Sequence, residues 1–311
     1  MIDRPIKQLE NDGTQFSPGL QFLIFCAIFV FVYISANLIA LGIIYFGLGE
    51  KAYLAITSLN VSNPNFIKAF WILQIIGTTL PIFAVPTFFA YIIVRDPKDY
   101  LKTAFHSHWT LPVLILVIMF TSTPLIEILS NINQKMPLPP FLKWMRTFED
   151  SAAKTTAAIL NMKTIWDVVI NVLLIGLLTA IVEEFMFRGV MQTIFVRWTK
   201  STHAAVWITA ILFSAFHMEF FGFLPRLLLG ALFGYFVAWS GSIWTGVWAH
   251  FINNGTDVVV TWLYQKKKIG TNPDSDHIFN YQGYIISFII VLILLFIYHY
   301  ISSNKKSIPE Y

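Results

Sequence analysis

The chain has 311 residues, 56% of them hydrophobic and 12% charged, with a formal net charge of +4. Soluble domains carry about 25% charged residues, so roughly half that share excludes a soluble globular protein. The small basic excess reads as juxtamembrane lysines and arginines and argues against a nucleic-acid partner.

Residues 1–19 form a mixed-charge segment holding Asp3, Arg4, Lys7, Glu10 and Asp12, and are expected in the cytoplasm. An apolar run begins near Leu20 and lasts to about Gly47. A cleaved leader has an apolar stretch of about 7–15 residues, so this longer run predicts a retained first transmembrane helix. Its Cys26 is the lone cysteine, which permits no intrachain disulfide and reads as packing.

A helix needs about 20 mostly apolar residues to cross the hydrocarbon core. Further runs lie at 66–94, 109–130, 164–187, 203–221, 224–240, 242–264 and 280–303, about eight spans in all. The predicted fold is all-α, a multi-pass transmembrane helical bundle. Its divisions are N-terminal helices with a loop helix over 20–160, a helical core over 161–264, and a last helix with a C-terminal tail over 265–311. Pro81, Pro86 and Pro124 are expected to kink their helices, because proline removes a helical hydrogen bond.

Between the third and fourth runs, Phe141, Leu142, Trp144, Met145 and Phe148 recur at helical spacing among Lys143, Arg146 and Glu149. This pattern predicts an amphipathic helix, lying on the membrane surface or docked as a loop helix. Arg95, Lys98 and Lys102 follow the second run, and Arg197 and Lys200 the fourth. The positive-inside tendency places both loops on the cytoplasmic side, against which Lys266, Lys267 and Lys268 stand as an exception.

Ionisable side chains within a membrane are costly and default to functional hypotheses. Here they cluster in three places: Glu183-Glu184-Phe-Met-Phe-Arg188, Phe213-Ser-Ala-Phe-His217 and His250-Phe-Ile-Asn-Asn254. If the fourth helix continues to about Trp198, Glu183 lies roughly 22 Å from its end and His217 roughly 21 Å into the fifth. His250 lies only roughly 12 Å into its helix, so convergence requires a tilt or a displaced helix start. Glu184 and Arg188 share a helical face, as do His250 and Asn254. A neutralising Glu184–Arg188 ion pair is the bland reading of those two residues, and it leaves Glu183 unmatched.

In that order and spacing, the three segments resemble the CAAX prenyl endopeptidase-like (CPBP or Abi) family of intramembrane proteases. Gly230-Ala-Leu-Phe-Gly234-Tyr between the last two is similar to the family as well. The resemblance covers about 180–260 and implies an intramembrane endopeptidase core. It makes Glu183 the base that activates a water with the help of His217, His250 and Asn254 the stabilisers of the oxyanion, and Glu184 and Arg188 their support. Implied partners are a peptide, lipidated or membrane-protein substrate and membrane lipids, in a bacterial inner membrane.

No cofactor is expected, although zinc held by Glu183, His217 and His250 is the competing account; the His-Glu-x-x-His arrangement of soluble zinc proteases is absent. Two other functions stay open at this level: a non-enzymatic scaffold or bacteriocin-immunity protein, and a proton or ion transporter. The transporter reading lacks the internal symmetry common in that class.

Overall fold

Apolar runs separated by short polar loops leave the backbone one way to satisfy its own polar groups in lipid, which is to form helices. The computed structural model describes residues 16–104, 108–270, 272 and 278–304. Most of the predicted N-terminal segment and the last residues of the C-terminal tail lie outside these. The described residues form α1 (Pro18–Leu48), α2 (Glu50–Thr57), α3 (Phe66–Ile93), α4 (Pro97–Leu101), α5 (Thr110–Gln134) and α6 (Lys143–Ile159). They continue with α7 (Ile165–Thr199), α8 (Thr202–Phe216), α9 (Phe223–Ser240), α10 (Ile243–Gln265) and α11 (Tyr281–Asn304). No strand occurs among the described residues.

Six helices, α1, α3, α5, α7, α9 and α11, are long and apolar enough to cross a membrane. The remaining two predicted runs are also helical. However, α8 has only 15 residues, and α10 carries His250, Asn253, Asn254 and Asp257 within its 23. Outer faces are apolar and open, as a lipid-facing surface requires; Phe46 on α1 is 88% exposed and Phe296 on α11 is 71% exposed.

The fourth run extends well past its apolar part. α7 continues to Thr199 because its polar residues meet partners inside the bundle: Arg188 Nη2 donates to Gly230 O (3.0 Å) and Gln192 Nε2 to Gly234 O (3.1 Å). α7 is locally widened into π-helix over Val172–Leu178 and again over Phe185–Met191, a distortion often found at functional sites. α3 carries another π segment, Leu73–Thr79, just before Pro81. Proline lacks the N–H that would pair with the carbonyl of Gly77, and Asn37 Nδ2 of α1 donates to that oxygen instead (2.8 Å).

Attraction between helices in lipid rests on close packing, so small residues mark the contacts. An added Cβ at Gly230 would lie 3.2 Å from Ala210 Cα on α8, which shows how closely α8 and α9 approach.

The loops after α3 and α7 lie at the same end of the bundle. Arg197 pairs with Asp96 (2.8 Å) and Asp99 (2.7 Å), and Lys102 donates to Thr193. Lys266 belongs to the other end, where its Nζ donates to Lys163 O.

The amphipathic segment folds as a docked loop helix. α6 docks on the 217–222 loop, with Glu149 accepting from Phe221 N and the Arg146 guanidinium 4.6 Å over the Phe221 ring. Its Trp144 and Phe148 face outward, as does Phe141 of the preceding turn. Partial burial holds the Glu149 carboxyl above its ordinary range.

Candidate functional site

Seven residues of α10 bring His250 to the middle of α7 because the start of α10 is displaced inward. Ile243 N donates to Lys102 O, and a Cβ at Gly189 would lie 3.3 Å from Tyr100 O and 3.6 Å from Ile243 Cδ1. The short helix α4 therefore props the start of α10 near the level of Gly189, about 15 Å inside the end of α7 at the helical rise. This is the displaced start that the sequence required for convergence.

Glu184 and Arg188 are fully buried and form an ion pair of 2.7 Å. Glu184 Oε1 also faces His250 Nδ1 at 3.1 Å. An ionised carboxylate accepts only, so Nδ1 carries a proton and donates it to Glu184. This fixes the ring and turns His250 Nε2 toward Glu183, whose Oε2 lies 3.9 Å away. Glu183 is nine-tenths buried, and its Oε2 has no hydrogen-bond partner among the described residues.

Aromatic rings hold these groups in place. The Arg188 guanidinium sits 4.5 Å over the Phe213 ring, a contact that stabilises a desolvated cation, and His250 stacks on Phe233 at 4.9 Å. Phe213 also touches the His217 ring edge-on at 5.1 Å.

Four of the six sequence-predicted residues, Glu183, Glu184, Arg188 and His250, thus form one cluster. His217 joins through Phe213. It does not lie within α8 as expected. The helix ends at Phe216 and His217 caps it, because its Nδ1 donates to Phe213 O (2.9 Å) in the last turn. That bond leaves Nε2 free to accept.

Asn254 stands one turn along α10 from His250. Its Nδ2 donates to Ile175 O (3.3 Å) in the first π segment of α7, and its Oδ1 accepts from Asn253 (3.1 Å). One amide N–H is left for a ligand.

A cavity of about 310 Å³ opens beside this cluster, with His217 in its wall. Gln74 and Thr79 of α3, Thr156 of α6, and Ile175 and Thr179 of α7 also line it. Thr179 in its wall and Glu183 lie four residues apart in the α-helical segment Thr179–Glu184 and so share a face, one turn apart. A second hollow, lined by Leu38, Gly42 and Phe46, lies on the face of α1 away from the site.

Sequence reasoning passed over Gly246. A Cβ there would sit 2.6 Å from both Glu184 Oε2 and Val237 Cγ2, so only glycine lets α10 approach the carboxylate. Gly246→Ala is expected to cost about 1–3 kcal/mol through overpacking. It is also expected to slow any reaction at the site about 10²-fold by displacing Glu184 and with it His250; thermal melts and turnover measured side by side check both.

Among the described residues, no cluster of three His, Cys, Asp or Glu side chains has the arrangement of a metal site. His250 Nδ1 is committed to Glu184 and His217 Nδ1 to Phe213 O. Each ring therefore keeps its Nε2 open, the nitrogen that a histidine held in this way would offer to a ligand.

Residues 165–256 match the family model described as type II CAAX prenyl endopeptidase Rce1-like. The stretch contains all six candidate residues, and the likeness expected from the three motifs holds over it. Among curated proteins, the chain is 29% identical over 86 residues to a protein of Bacillus subtilis (strain 168) described as uncharacterized protein YpbD. That match covers 26% of this chain and 41% of the relative, so the chain spans about two fifths of the length of the curated protein it matches. No solved structure matches the chain.

Proposed function

We propose that the Rce1-like stretch makes this chain an intramembrane endopeptidase, cutting a peptide bond in a membrane-associated peptide or protein with a water activated by Glu183. The observation that carries this reading is the unpartnered Glu183 Oε2, 3.9 Å from His250 Nε2 in a buried cluster. A purely structural ion-pair network has every charge matched. Here Glu184 takes the one arginine, and Glu183 is left with only the 3.9 Å approach of His250 Nε2.

Counting charge extends the argument. Two ionised carboxylates and one guanidinium leave one negative charge in a low-dielectric site, which one proton neutralises. That proton belongs to His250 or to Glu183, the two groups that face each other. With it on His250, both ring nitrogens donate, one to Glu184 and the other toward the reacting centre.

Glu183 then accepts a proton from a water whose other O–H is held by His217 Nε2. The water oxygen attacks the peptide carbonyl, and the resulting oxyanion accepts from His250 Nε2–H and from the spare N–H of Asn254. Glu183 passes its proton to the departing amine nitrogen as the C–N bond breaks, so the carboxylate is regenerated. No step is routed through a metal.

The test is a comparison of peptide termini in membranes from cells carrying wild type or Glu183→Gln at equal expression. Termini that vanish in the variant name the substrate; identical sets from equally folded proteins end the enzyme reading in favour of a scaffold or immunity role. Asn254→Ala is expected to lower kcat about 10²–10³-fold with little change in KM, the usual cost of losing one oxyanion donor. An unchanged kcat would reduce Asn254 to its contact with Ile175.

A further inference from the structure

We propose that the cavity ending at His217 binds an extended peptide segment, and that Gln74 of α3 is the residue that positions its backbone. The inference rests on the protease reading and adds a residue outside the stretch similar to known proteins. Other carboxamides packed inside this bundle have hydrogen-bond partners: Asn37 donates to Gly77 O, Asn171 to Ile159 O, Gln192 to Gly234 O, Asn254 to Ile175 O and Asn253 to Asn254 Oδ1. Gln74 is the exception. It is half-buried, lines the cavity, and makes no hydrogen bond among the described residues. A polar side chain in an apolar span is costly, and no hydrogen bond among the described residues offsets that cost.

The cavity suits a peptide chain in size and chemistry. Its 310 Å³ equals about ten water volumes. Most of its lining is apolar, and its few polar groups are Gln74, Thr79, Thr156, Thr179 and His217, the pattern of sites that bury an apolar ligand and orient it at a few points. An extended segment entering it brings N–H and C=O groups that lose water and must find partners. A carboxamide has one acceptor and two donors, which matches both groups of one peptide unit.

Geometry also gives the segment a direction. Thr156 and Ile159 of α6 border the cavity at the end of the bundle near Lys163, while His217, which the proposed mechanism sets on the same water as Glu183, borders it too. A segment that enters beneath α6 and is held by Gln74 therefore presents a later peptide bond to the water on Glu183.

Gln74→Met keeps the length of the side chain and removes its hydrogen bonds. The probe is a defined mixture of short peptides with apolar centres, added to the Glu183→Gln chain in lipid nanodiscs and quantified by mass spectrometry. Peptides are expected to be retained, and retention is expected to weaken about tenfold in Glu183→Gln/Gln74→Met, with an unchanged thermal transition. Equal retention, tighter retention (the result for a cavity that holds a lipid chain) or none at all overturns the proposal.

Cleavage of the same mixture by the chain with Glu183 intact reads the enzyme assignment separately; there Gln74→Met should raise KM and spare kcat. Binding through Gln74 without any cleavage keeps this site and loses the protease. Cleavage with the same KM in Gln74→Met keeps the protease and loses this site.

Discussion

Purified Glu183→Gln is expected to fold and melt like the wild-type chain while losing about 10²–10⁴-fold in cleavage rate, the contribution of a positioned general base. The two halves of the expectation come from one observation. Because Glu183 Oε2 has no hydrogen-bond partner, replacing the carboxylate by a carboxamide breaks no bond at that oxygen and removes a charge from the interior. The neutral amide cannot take a proton from water, so chemistry stops where structure does not. Rates on a substrate identified from membrane peptide termini, with thermal melts in the same detergent, make the comparison. Full activity in the variant would exclude Glu183 as the base. Because no metal-site arrangement exists among the described residues, treating the wild-type chain with a chelator is expected to leave its rate unchanged; a chelator-sensitive rate would return Glu183 to the role of a ligand.

Much of the bundle was legible because apolar length is the signal that a lipid solvent imposes. The third run, 109–130, became Thr110–Gln134, and the eighth, 280–303, became Tyr281–Asn304. The fourth apolar run ends at 187, while periodicity permits a helix to about Trp198, and α7 reaches Thr199. Hydropathy reports the cost of facing lipid. Arg188 and Gln192 face backbone carbonyls of α9 at 3.0 and 3.1 Å, a partnership with no local signature.

The same gap hid Gly246, whose importance lies in what a neighbouring helix carries. It also hid the π segments that shift the faces of α3 and α7. The apolar run over 203–221 predicts His217 inside a helix; the stop comes with the loop beyond, where Ser214 Oγ donates to Phe223 O (2.7 Å). The three motifs were readable as residues and spacings. Their meeting depended on α4 and the inward start of α10, which no motif contains.

Arg188→Met is expected to destabilise the fold by about 3–5 kcal/mol, the cost of leaving one member of a buried pair without its partner. Every contact of Arg188 points to this outcome. Its side chain is fully buried, pairs with Glu184 at 2.7 Å, donates to Gly230 O, and lies over Phe213. Methionine fills much of the volume and supplies none of the charge, so Glu184 would remain ionised in a dry site or take up a proton.

The pair is nonetheless weak evidence for stability in itself, since a buried ion pair gains little over a well-packed apolar pair. Arg188→Met/Glu184→Gln should therefore recover most of the loss, because glutamine is neutral and its Oε1 still accepts from His250 Nδ1. A melt of Arg188→Met indistinguishable from wild type would show that the pair carries no structural weight. If the double variant regains stability and remains slow, the pair acts on the reaction through the charge that Glu184 holds against His250; if it regains both, the pair serves only to neutralise one charge with another.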